Sequence, residues 1–431
     1  MKILFCKNTF AGPISGADEI AVSYAIELKK AGNSVSVLLV QPPIPGDVQA
    51  ARLKDAGVPL SSLASTAFST SLVLARTVAI SLMHTFSPMS RLIRSNSRRL
   101  VFHLLQRYHA ACCEYLTCHR PDVVHVMTPD PGAVMLIRAA HAVGIPVIYH
   151  EVGIPFHPPG FEEVYERLAT VLPLCSRVAA LSPSLAEEMG RILPNIDQPL
   201  VLPLISQGAA SVNLGPSTQE GVACFGFAAR LEHLKGPLRF VEGLAIARCT
   251  QPAVKLKIAG DGSQRSHLIA LLQKLDFEKE AELTGVYTTP HGRSRFMHSI
   301  DVFVSPSLSE GTPNSVIEAM AHAKAVIATD VGGTADIITE DVGIVVPPGD
   351  SKALGAAMAQ LAGDAELRRA MGRAARSKFE RLFTPRAVLP LLIDFYEGAV
   401  SQNHLAGNGR ARKIVPASHP WFQVSGNSKS P

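Results

Sequence analysis

Residues 301–321 read DVFVSPSLSEGTPNSVIEAMA, and this stretch predicts a strand, a loop and a helix in succession. The run DVFVSPS is short and apolar, which favours a buried strand, and Gly311 and Pro313 mark the loop after it. Residues 314–323 have helical periodicity, and the apolar run AVIATD then predicts another strand. Strands that alternate with helices are typical of a parallel sheet covered on both faces.

The same alternation of strands and helices continues upstream of this stretch. Upstream to residue 222 it predicts the strands ACFGF, VKLKIAG and AELTGV, with helices at 236–248 and 263–275. A separate series near the N-terminus predicts the following elements: strands at 2–6, 35–40, 122–127 and 145–149, a Gly/Pro loop at 10–17, and helices at 18–31 and 131–143. The predicted fold is therefore α/β, with two doubly wound, Rossmann-like domains and a cleft between them.

Composition sets the expected boundaries of these domains. Residues 1–200 form the N-terminal domain and residues 222–384 the C-terminal domain, and the Pro- and Gly-rich residues 201–221 form the linker. Residues 385–400 are helical by pattern and are expected to return to the N-terminal domain. Residues 401–431 lose periodicity and are expected to be a disordered tail.

Composition also excludes several classes of protein. Apolar residues make up 47% and charged residues 18% of the 431 positions, which excludes a disordered or fibrous protein. A net charge of +5 is small for this length and does not favour a nucleic-acid partner. The seven cysteines are scattered without C-x-x-C spacing, which fits a reducing compartment. With no signal peptide and no stretch of about 20 apolar residues, the expected location is cytoplasmic.

A basic insertion is predicted at about residues 61–110. No acidic residue occurs between Asp55 and Glu114, whereas six arginines do, and apolar patches are interleaved with them. A helix with arginines on one side and apolar residues on the other would suit an anionic membrane surface, which would make the protein peripheral on the inner face of a membrane. An ordinary core helix with a solvated basic face fits the pattern equally well.

Two basic residues lie where a strand meets a helix in the C-terminal domain. The string FAARLEHLKG at 227–236 places Arg230 and Lys235 in the loop that precedes a helix N-terminus. Two fixed cations and the helix dipole would suit a diphosphate. The alternative is a solvated surface, where arginine and lysine are common.

Two acidic residues follow a strand of the same domain. Glu310 lies in the loop after DVFVSPS, at the sheet edge where open α/β folds bind ligands, and Glu318 lies about one turn into the next helix. Carboxylates accept hydrogen bonds from hydroxyls such as those of a ribose and a sugar ring. The alternative is a capped helix with Glu318 exposed. The Gly loops at 258–262 and 330–336 are either tight turns or parts of the same pocket.

From about 222 to 380 the chain resembles the retaining, GT-B-type glycosyltransferases of family 4. The string G-F-A-A-R-L-x-x-x-K-G, the E-x(7)-E motif followed by AMA, and the VGG loop occur in the family's order and spacing. The resemblance implies that Arg230 and Lys235 bind the donor diphosphate, that Glu310 contacts the transferred sugar, and that Glu318 holds the ribose. It makes the C-terminal domain the nucleotide-sugar domain and the N-terminal domain the acceptor side.

The resemblance implies further site residues. The donor-binding residues it adds in the C-terminal domain are Gly260, Gly262, Val286, Thr312, Pro313, Asn314 and Ser315. In the N-terminal half, where the likeness is weaker, Gly16 would face the donor and His150 would lie beside the sugar as a catalytic residue. His125 is interpreted as structural.

The predicted activity is that of a retaining glycosyltransferase in polysaccharide biosynthesis, which transfers a sugar from a UDP- or GDP-sugar to a saccharide or lipid-linked acceptor. No D-x-D motif and no ligand cluster of metal spacing occur, so a metal-independent reaction without a cofactor is predicted.

Four other functions are weighed against this prediction. A nucleotide-sugar epimerase of the same fold, or a non-catalytic nucleotide-sugar-binding protein, would also use this architecture. A phosphorylase would need a pyridoxal-phosphate lysine, for which the sequence has no motif. A nicotinamide enzyme is disfavoured because no G-x-G-x-x-G follows the first strand.

Overall fold

The computed structural model describes residues 1–10, 16–64, 105–127, 129–153, 162–193, 195–206, 222–287 and 289–406. The predicted basic insertion falls mostly on residues 65–104, which lie outside the described residues, so a membrane surface there stays a prediction. Residues 207–221 of the predicted linker and 407–431 of the predicted tail also lie outside them.

The first compact unit, unit 1, comprises Met1–Leu181, Leu185–Leu204 and, within the described residues, Leu389–Ala406. Its strands are β1 Lys2–Lys7, β2 Ser34–Leu39, β3 Leu60–Ser62, β4 Val123–Met127, β5 Val147–Glu151, β6 Arg177–Ala180 and β7 Leu200–Val201. They form one parallel sheet in the order β3-β2-β1-β4-β5-β6-β7. The connections lead away from β1 and β4 in opposite directions, so the switch point of the sheet lies between these two strands.

Helices accompany the sheet of unit 1. They are α1 Gly16–Lys30, α2 Val48–Asp55, α3 His109–His119, α4 Pro131–Val143, α5 Glu162–Ala169, α6 Pro183–Ile192 and, at the other end of the chain, the helix Pro385–Ala406. The start of α4 shows how the sequence sets these boundaries. Asp130 caps the helix by accepting a hydrogen bond from the Ala133 amide at 2.9 Å, and Pro131 occupies the first turn, where its missing N–H has no cost.

Unit 2 comprises Ser182–Ser184 and Ile205–Val388. Its strands are β8 Ala223–Ala228, β9 Val254–Ala259, β10 Ala281–Gly285, β11 Val302–Ser305, β12 Ala325–Thr329 and β13 Gly343–Val346. They form a second parallel sheet in the order β10-β9-β8-β11-β12-β13, whose switch point lies between β8 and β11. Its helices are α7 Pro237–Arg248, α8 Arg265–Lys274, α9 Pro290–His298, α10 Asn314–Ala321, α11 Thr334–Ile337, α12 Ser351–Gly363 and α13 Ala365–Leu382, after which Pro385–Ala406 is named α14.

The α/β class with two Rossmann-like sheets is thus confirmed. The central strands are buried along their length, as the apolar runs predict: every residue of β4, β5, β8 and β12 is buried. Each of the two sheets packs against its own apolar core.

Two boundaries differ from those expected from composition. The segment expected to open the linker begins with Val201 in β7, and Leu202, Leu204 and Ile205 are buried, because apolar side chains alternate with the prolines that suggested a linker. The segment expected to open the disordered tail is helical as far as Ala406, because SQNHLA contains no helix breaker and Gly407 is the first one.

Candidate functional site

The predicted site residues of unit 2 lie at one edge of its sheet. Arg230 and Lys235 follow β8, Gly260 and Gly262 follow β9, and Glu310 follows β11. Since β9, β8, β11 and β12 are consecutive neighbours in a parallel sheet, the loops after them meet at the carboxyl edge. The loops after β8 and β11 flank the switch point, which is where open α/β sheets form a ligand crevice.

The loop after β8 is short and rigidly held. It closes with a 3-10 turn at His233–Lys235, in which the Lys235 amide donates to the Glu232 carbonyl at 2.9 Å. Gly236 then has a φ of +69°, and a Cβ there would collide with the carbonyl of Pro306 in the loop after β11. This close approach fixes Lys235 beside the neighbouring loop, whereas Arg230 is exposed to solvent.

Glu310 and Lys235 contact each other directly. The Lys235 Nζ lies 2.6 Å and 2.7 Å from the two carboxylate oxygens of Glu310, and the Ser307 hydroxyl donates to Oε1 at 2.7 Å. The side chains are 22% and 13% exposed, so the pair is largely shielded but still reachable. The resemblance assigned these residues to different parts of the donor, and the structure shows that they also form one ion pair.

A glycine of the loop after β12 supports Glu310 from the other side. Gly332 has a φ of +54°, and a Cβ there would collide with the backbone carbonyls of Glu310 and Gly311. The Gly333 amide donates to the Gly311 carbonyl at 2.8 Å. The VGG motif therefore has a structural role: it packs the loop after β12 onto the loop that carries Glu310.

Glu318 lies on α10 and is held by two side chains that the sequence analysis did not identify. Arg293 Nη1 lies 3.0 Å from its Oε1, and the Tyr287 hydroxyl lies 3.5 Å from its Oε2. The Glu318 side chain is 14% exposed, so the alternative of an exposed residue on a capped helix is wrong. For Tyr287, the only signal in the sequence was its position next to Val286, a predicted donor-binding residue. For Arg293 there was no signal, because α9, the helix that carries it, contains no recognisable motif.

The two glycines after β9 bring that loop against the loop after β8. Gly260 has a φ of +143° and Gly262 a φ of +155°, and a Cβ on either would meet a backbone carbonyl, that of Ala229 and of Leu231 respectively. The Leu231 amide donates to the Asp261 carbonyl at 2.9 Å. The glycines thus have a packing reason that is independent of any ligand.

The other predicted donor-binding residues of unit 2 surround the start of α10. Thr312 and Pro313 are buried, and the Thr312 hydroxyl has no hydrogen-bond partner among the described residues. Asn314 and Ser315 form the first turn of α10, whose N-terminal dipole would favour an anion. Val286 is 39% exposed, which is unusual for a large apolar side chain.

The two predicted residues of the N-terminal half, Gly16 and His150, belong to unit 1. Gly16 is exposed at the start of α1, and residues 11–15 before it lie outside the described residues. His150 is fully buried near the end of β5, and neither ring nitrogen has a hydrogen-bond partner among the described residues. Burial lowers the pKa of His150 to about 3, against a weaker opposing effect of the Leu202 backbone, so the imidazole is neutral.

Sequence analysis missed Glu151, the residue after His150. Glu151 is fully buried, accepts a hydrogen bond from the Tyr149 hydroxyl at 2.7 Å, and accepts another from the Gly153 amide at 2.9 Å. Burial raises its pKa to about 7, while these hydrogen bonds work in the opposite direction. In the sequence, the signal for Glu151 was an acidic residue within a run of apolar strand residues.

No helix among the described residues combines the length and the hydropathy needed to cross a membrane. The described residues also contain no cluster of three or more side chains of the His, Cys, Asp or Glu type that could hold a metal ion. Metal independence itself stays a prediction.

Comparison with known proteins finds a family match over much of unit 2. Residues 216–378 match the family described as glycosyl transferases group 1. Sulfoquinovosyl transferase SQD2 of Arabidopsis thaliana is 24% identical over 310 residues, which cover 65% of this chain and 58% of that protein. D-inositol 3-phosphate glycosyltransferase of Paenarthrobacter aurescens is 33% identical over 182 residues, 41% of this chain and 44% of that protein. The chain thus spans about half the length of these curated relatives.

Solved structures share the fold of the whole chain. A glycosyltransferase from Rickettsia africae superimposes with a TM-score of 0.68 at 18% identity, covering 92% of this chain and 98% of that one. HepE of Anabaena, solved in complex with UDP and glucose, gives a TM-score of 0.66 at 17% identity, covering 92% and 99% of the two chains. These likenesses confirm the predicted GT-B fold class with two Rossmann-like domains.

Replacement of Gly332 by alanine should loosen the loop that carries Glu310. The variant adds a Cβ in the left-handed region, which costs about 1 kcal/mol, and the collision with the Glu310 and Gly311 carbonyls adds about 1–3 kcal/mol. Gly349→Ala is the matched control, because Gly349 also has a positive φ of +80° but only one neighbour, Leu308 Cδ2, at 3.9 Å. Urea unfolding of both variants measures the difference, and equal losses of stability would contradict the packing role.

Glu151 should make the stability of the protein depend on pH. Its pKa of about 7, against 4.5 for an unperturbed glutamate, means that folding favours the protonated carboxyl. Its contribution is complete below pH 4.5 and is lost as pH rises through 7, a change of about 2–3 kcal/mol.

The unfolding free energies of wild type and Glu151→Gln, measured at pH 5 and pH 8, should therefore differ in their pH dependence by this amount. Glu340→Gln, at an exposed position, serves as the control and should follow wild type. Parallel pH profiles for wild type and Glu151→Gln would refute the assignment.

Proposed function

Residues 216–378 match the family described as glycosyl transferases group 1, and on this premise we propose that the protein is a glycosyltransferase. It transfers a sugar from a nucleotide-sugar donor held by unit 2 to a saccharide or lipid-linked acceptor. The observation that carries the proposal is the contact between Lys235 and Glu310, 2.6 Å apart at the switch point between β8 and β11. A cation for phosphate and an acceptor for sugar hydroxyls are thereby placed at one point of the sheet edge.

Binding of the donor would replace the contact between Lys235 and Glu310 with contacts from each of these residues to the donor. The diphosphate offers Lys235 a stronger anionic partner than one carboxylate, and the sugar hydroxyls offer Glu310 donors in place of the ammonium. Arg230 is exposed on the same loop, has no ion-pair partner among the described residues, and would add the second cation. Glu318, held by Arg293 and Tyr287, would accept hydrogen bonds from the hydroxyls of the ribose.

Cleavage of the bond from the sugar to the diphosphate leaves negative charge on the departing β-phosphate. Lys235, Arg230 and the N-terminus of α10 would stabilise that charge, because they are fixed before the reaction and directed at the place where it develops. We propose that these groups suffice without a divalent metal. Retention of anomeric configuration is part of the proposal through the family resemblance, and NMR of the product anomer measures it.

Unit 1 would supply Gly16, His150 and the acceptor. The support for His150 is that its two ring nitrogens are buried without a partner, since a buried polar group normally finds one. A role of the predicted basic insertion at an anionic membrane remains part of the proposal. HepE was solved with UDP and glucose, which makes UDP-sugars the first donors to test.

Replacement of Lys235 by alanine should lower kcat by about 100-fold or more, because the charge developing on the leaving group loses its cation. Glu310→Gln should raise the donor KM as well as lower kcat, because the sugar hydroxyls lose a charged acceptor. The measurement is UDP release in the presence of acceptor from a panel of UDP-, GDP- and ADP-sugars. Lys257→Ala is the matched control, because Lys257 pairs with Glu282 at 2.8 Å on the same sheet and is 23% exposed, close to Lys235.

Wild-type turnover in Lys235→Ala would remove this residue from the mechanism. Conversion of a nucleotide-sugar without any acceptor would favour the epimerase, and a raised melting temperature with donor but no turnover would favour the non-catalytic binding protein.

EDTA should leave the rate of transfer unchanged, because the charge on the departing phosphate is met by side chains and by a helix N-terminus. The test compares initial rates in buffer treated with EDTA, with and without added Mg²⁺ or Mn²⁺. A rate that collapses with EDTA and returns with either ion would contradict the metal-free reaction.

A further inference from the structure

Four rings form a buried cluster in unit 1: Tyr24 from α1, His125 from β4, His150 from β5 and Tyr396 from α14. All four residues are 0% exposed. The His150 ring is nearly parallel to Tyr24, with centroids 6.0 Å apart and planes 13° apart, and to His125, at 5.6 Å and 20°. Tyr396 meets His125 edge-on at 74°. We call these residues the ring cluster.

Hydrogen bonds hold the ring cluster at its outer members. The Tyr396 hydroxyl lies 2.8 Å from His125 Nδ1, and the Tyr24 hydroxyl donates to the Pro203 carbonyl at 2.5 Å. His150 has no such bond to either nitrogen among the described residues. The rings that stack on His150 and the nearby Leu202 backbone therefore set the plane of its ring, and Tyr396 orients His125 together with the Phe5 ring, whose centroid is 5.0 Å from that of His125.

We propose that Tyr396 is a positioning residue for His150, which acts through His125. This inference rests on the proposed function, in which His150 meets the sugar of the donor. Burial keeps both imidazoles neutral, so each carries a single N–H, and the ring plane of His150 decides where its N–H and its acceptor nitrogen are directed. Removing the Tyr396 hydroxyl frees His125 to rotate, and His150 loses the support that keeps its plane fixed.

The titratable residue next to His150 in the chain does not fix the orientation of the rings in the ring cluster. Glu151 follows His150 in the chain but is bonded to Tyr149 and Gly153. The Tyr396 hydroxyl is thus the polar group that determines the orientation of the His125 ring.

The test is a double-mutant cycle between Tyr396→Phe and His150→Gln. Tyr396→Phe removes one oxygen and keeps the ring, and it should lower kcat about tenfold with less than a twofold change in donor KM, because the donor is gripped by unit 2. In the His150→Gln background the same change should have no further effect on kcat. His150→Phe, which keeps a stacked ring without nitrogens, repeats the cycle if His150→Gln does not fold. Tyr115→Phe, a half-buried tyrosine of α3, is the control and should leave kcat unchanged.

Equal losses of kcat on Tyr396→Phe in the wild-type and His150→Gln backgrounds would show that Tyr396 acts through general stability and would overturn the proposal. A second readout does not depend on activity: the ¹⁵N shifts of both imidazoles, assigned by substituting each histidine. Tyr396→Phe should move the resonances of His125 and also those of His150, and unchanged His150 resonances would overturn the inference. A wild-type protein that transfers no sugar from any donor would instead count against the proposed function, and the ¹⁵N comparison would still decide the positioning claim.

Discussion

The pairing of β8 with β11 is the constraint on which the candidate site depends. These strands are 74 residues apart in the chain, counted from Ala228 to Val302, yet they lie side by side because the chain leaves the centre of the sheet in both directions. The connections that leave β8 and β11 therefore run in opposite directions. The loops at the carboxyl ends of these two strands flank the switch point of the sheet. Lys235 comes from one loop and Glu310 from the other, so the ion pair between them is a direct consequence of strand order.

The backbone around this switch point is packed too closely for side chains at several positions. Gly236 lies against the Pro306 carbonyl, Gly260 against Ala229 and Gly332 against Glu310, in each case with a positive φ. Three loops are therefore locked to their neighbours by contacts between main-chain atoms. Such contacts are stiffer than those between flexible side chains, which suits a site whose charges must be in place before a ligand arrives.

The two units handle polar groups in different ways. In unit 2 four charged side chains of the candidate site are partly exposed and paired, Lys235 with Glu310 and Arg293 with Glu318. In unit 1 the polar residues near the end of β5 are fully buried, and burial drives them toward their neutral forms: His150 loses its proton and Glu151 gains one near neutral pH. Charged side chains thus lie at the candidate site of unit 2, whereas the polar groups at the end of β5 in unit 1 are buried and largely neutral.

The sequence by itself determined the fold class and the alternation of strands and helices, though without the short strands β3, β6, β7 and β13, and it singled out Arg230, Lys235, Glu310 and Glu318 as candidate site residues. It could do so because hydrophobic periodicity and glycine-bearing loops are local properties, readable within 20 residues or fewer. It did not reveal the partners of those residues, such as Arg293 for Glu318, because an ion pair joins positions whose separation carries no periodic signal. It also missed the burial of His150, the raised pKa of Glu151 and the contact of Tyr396 with His125, 271 residues apart. Only the tertiary structure decides these, because burial and the meeting of distant side chains depend on how the sheets and helices pack.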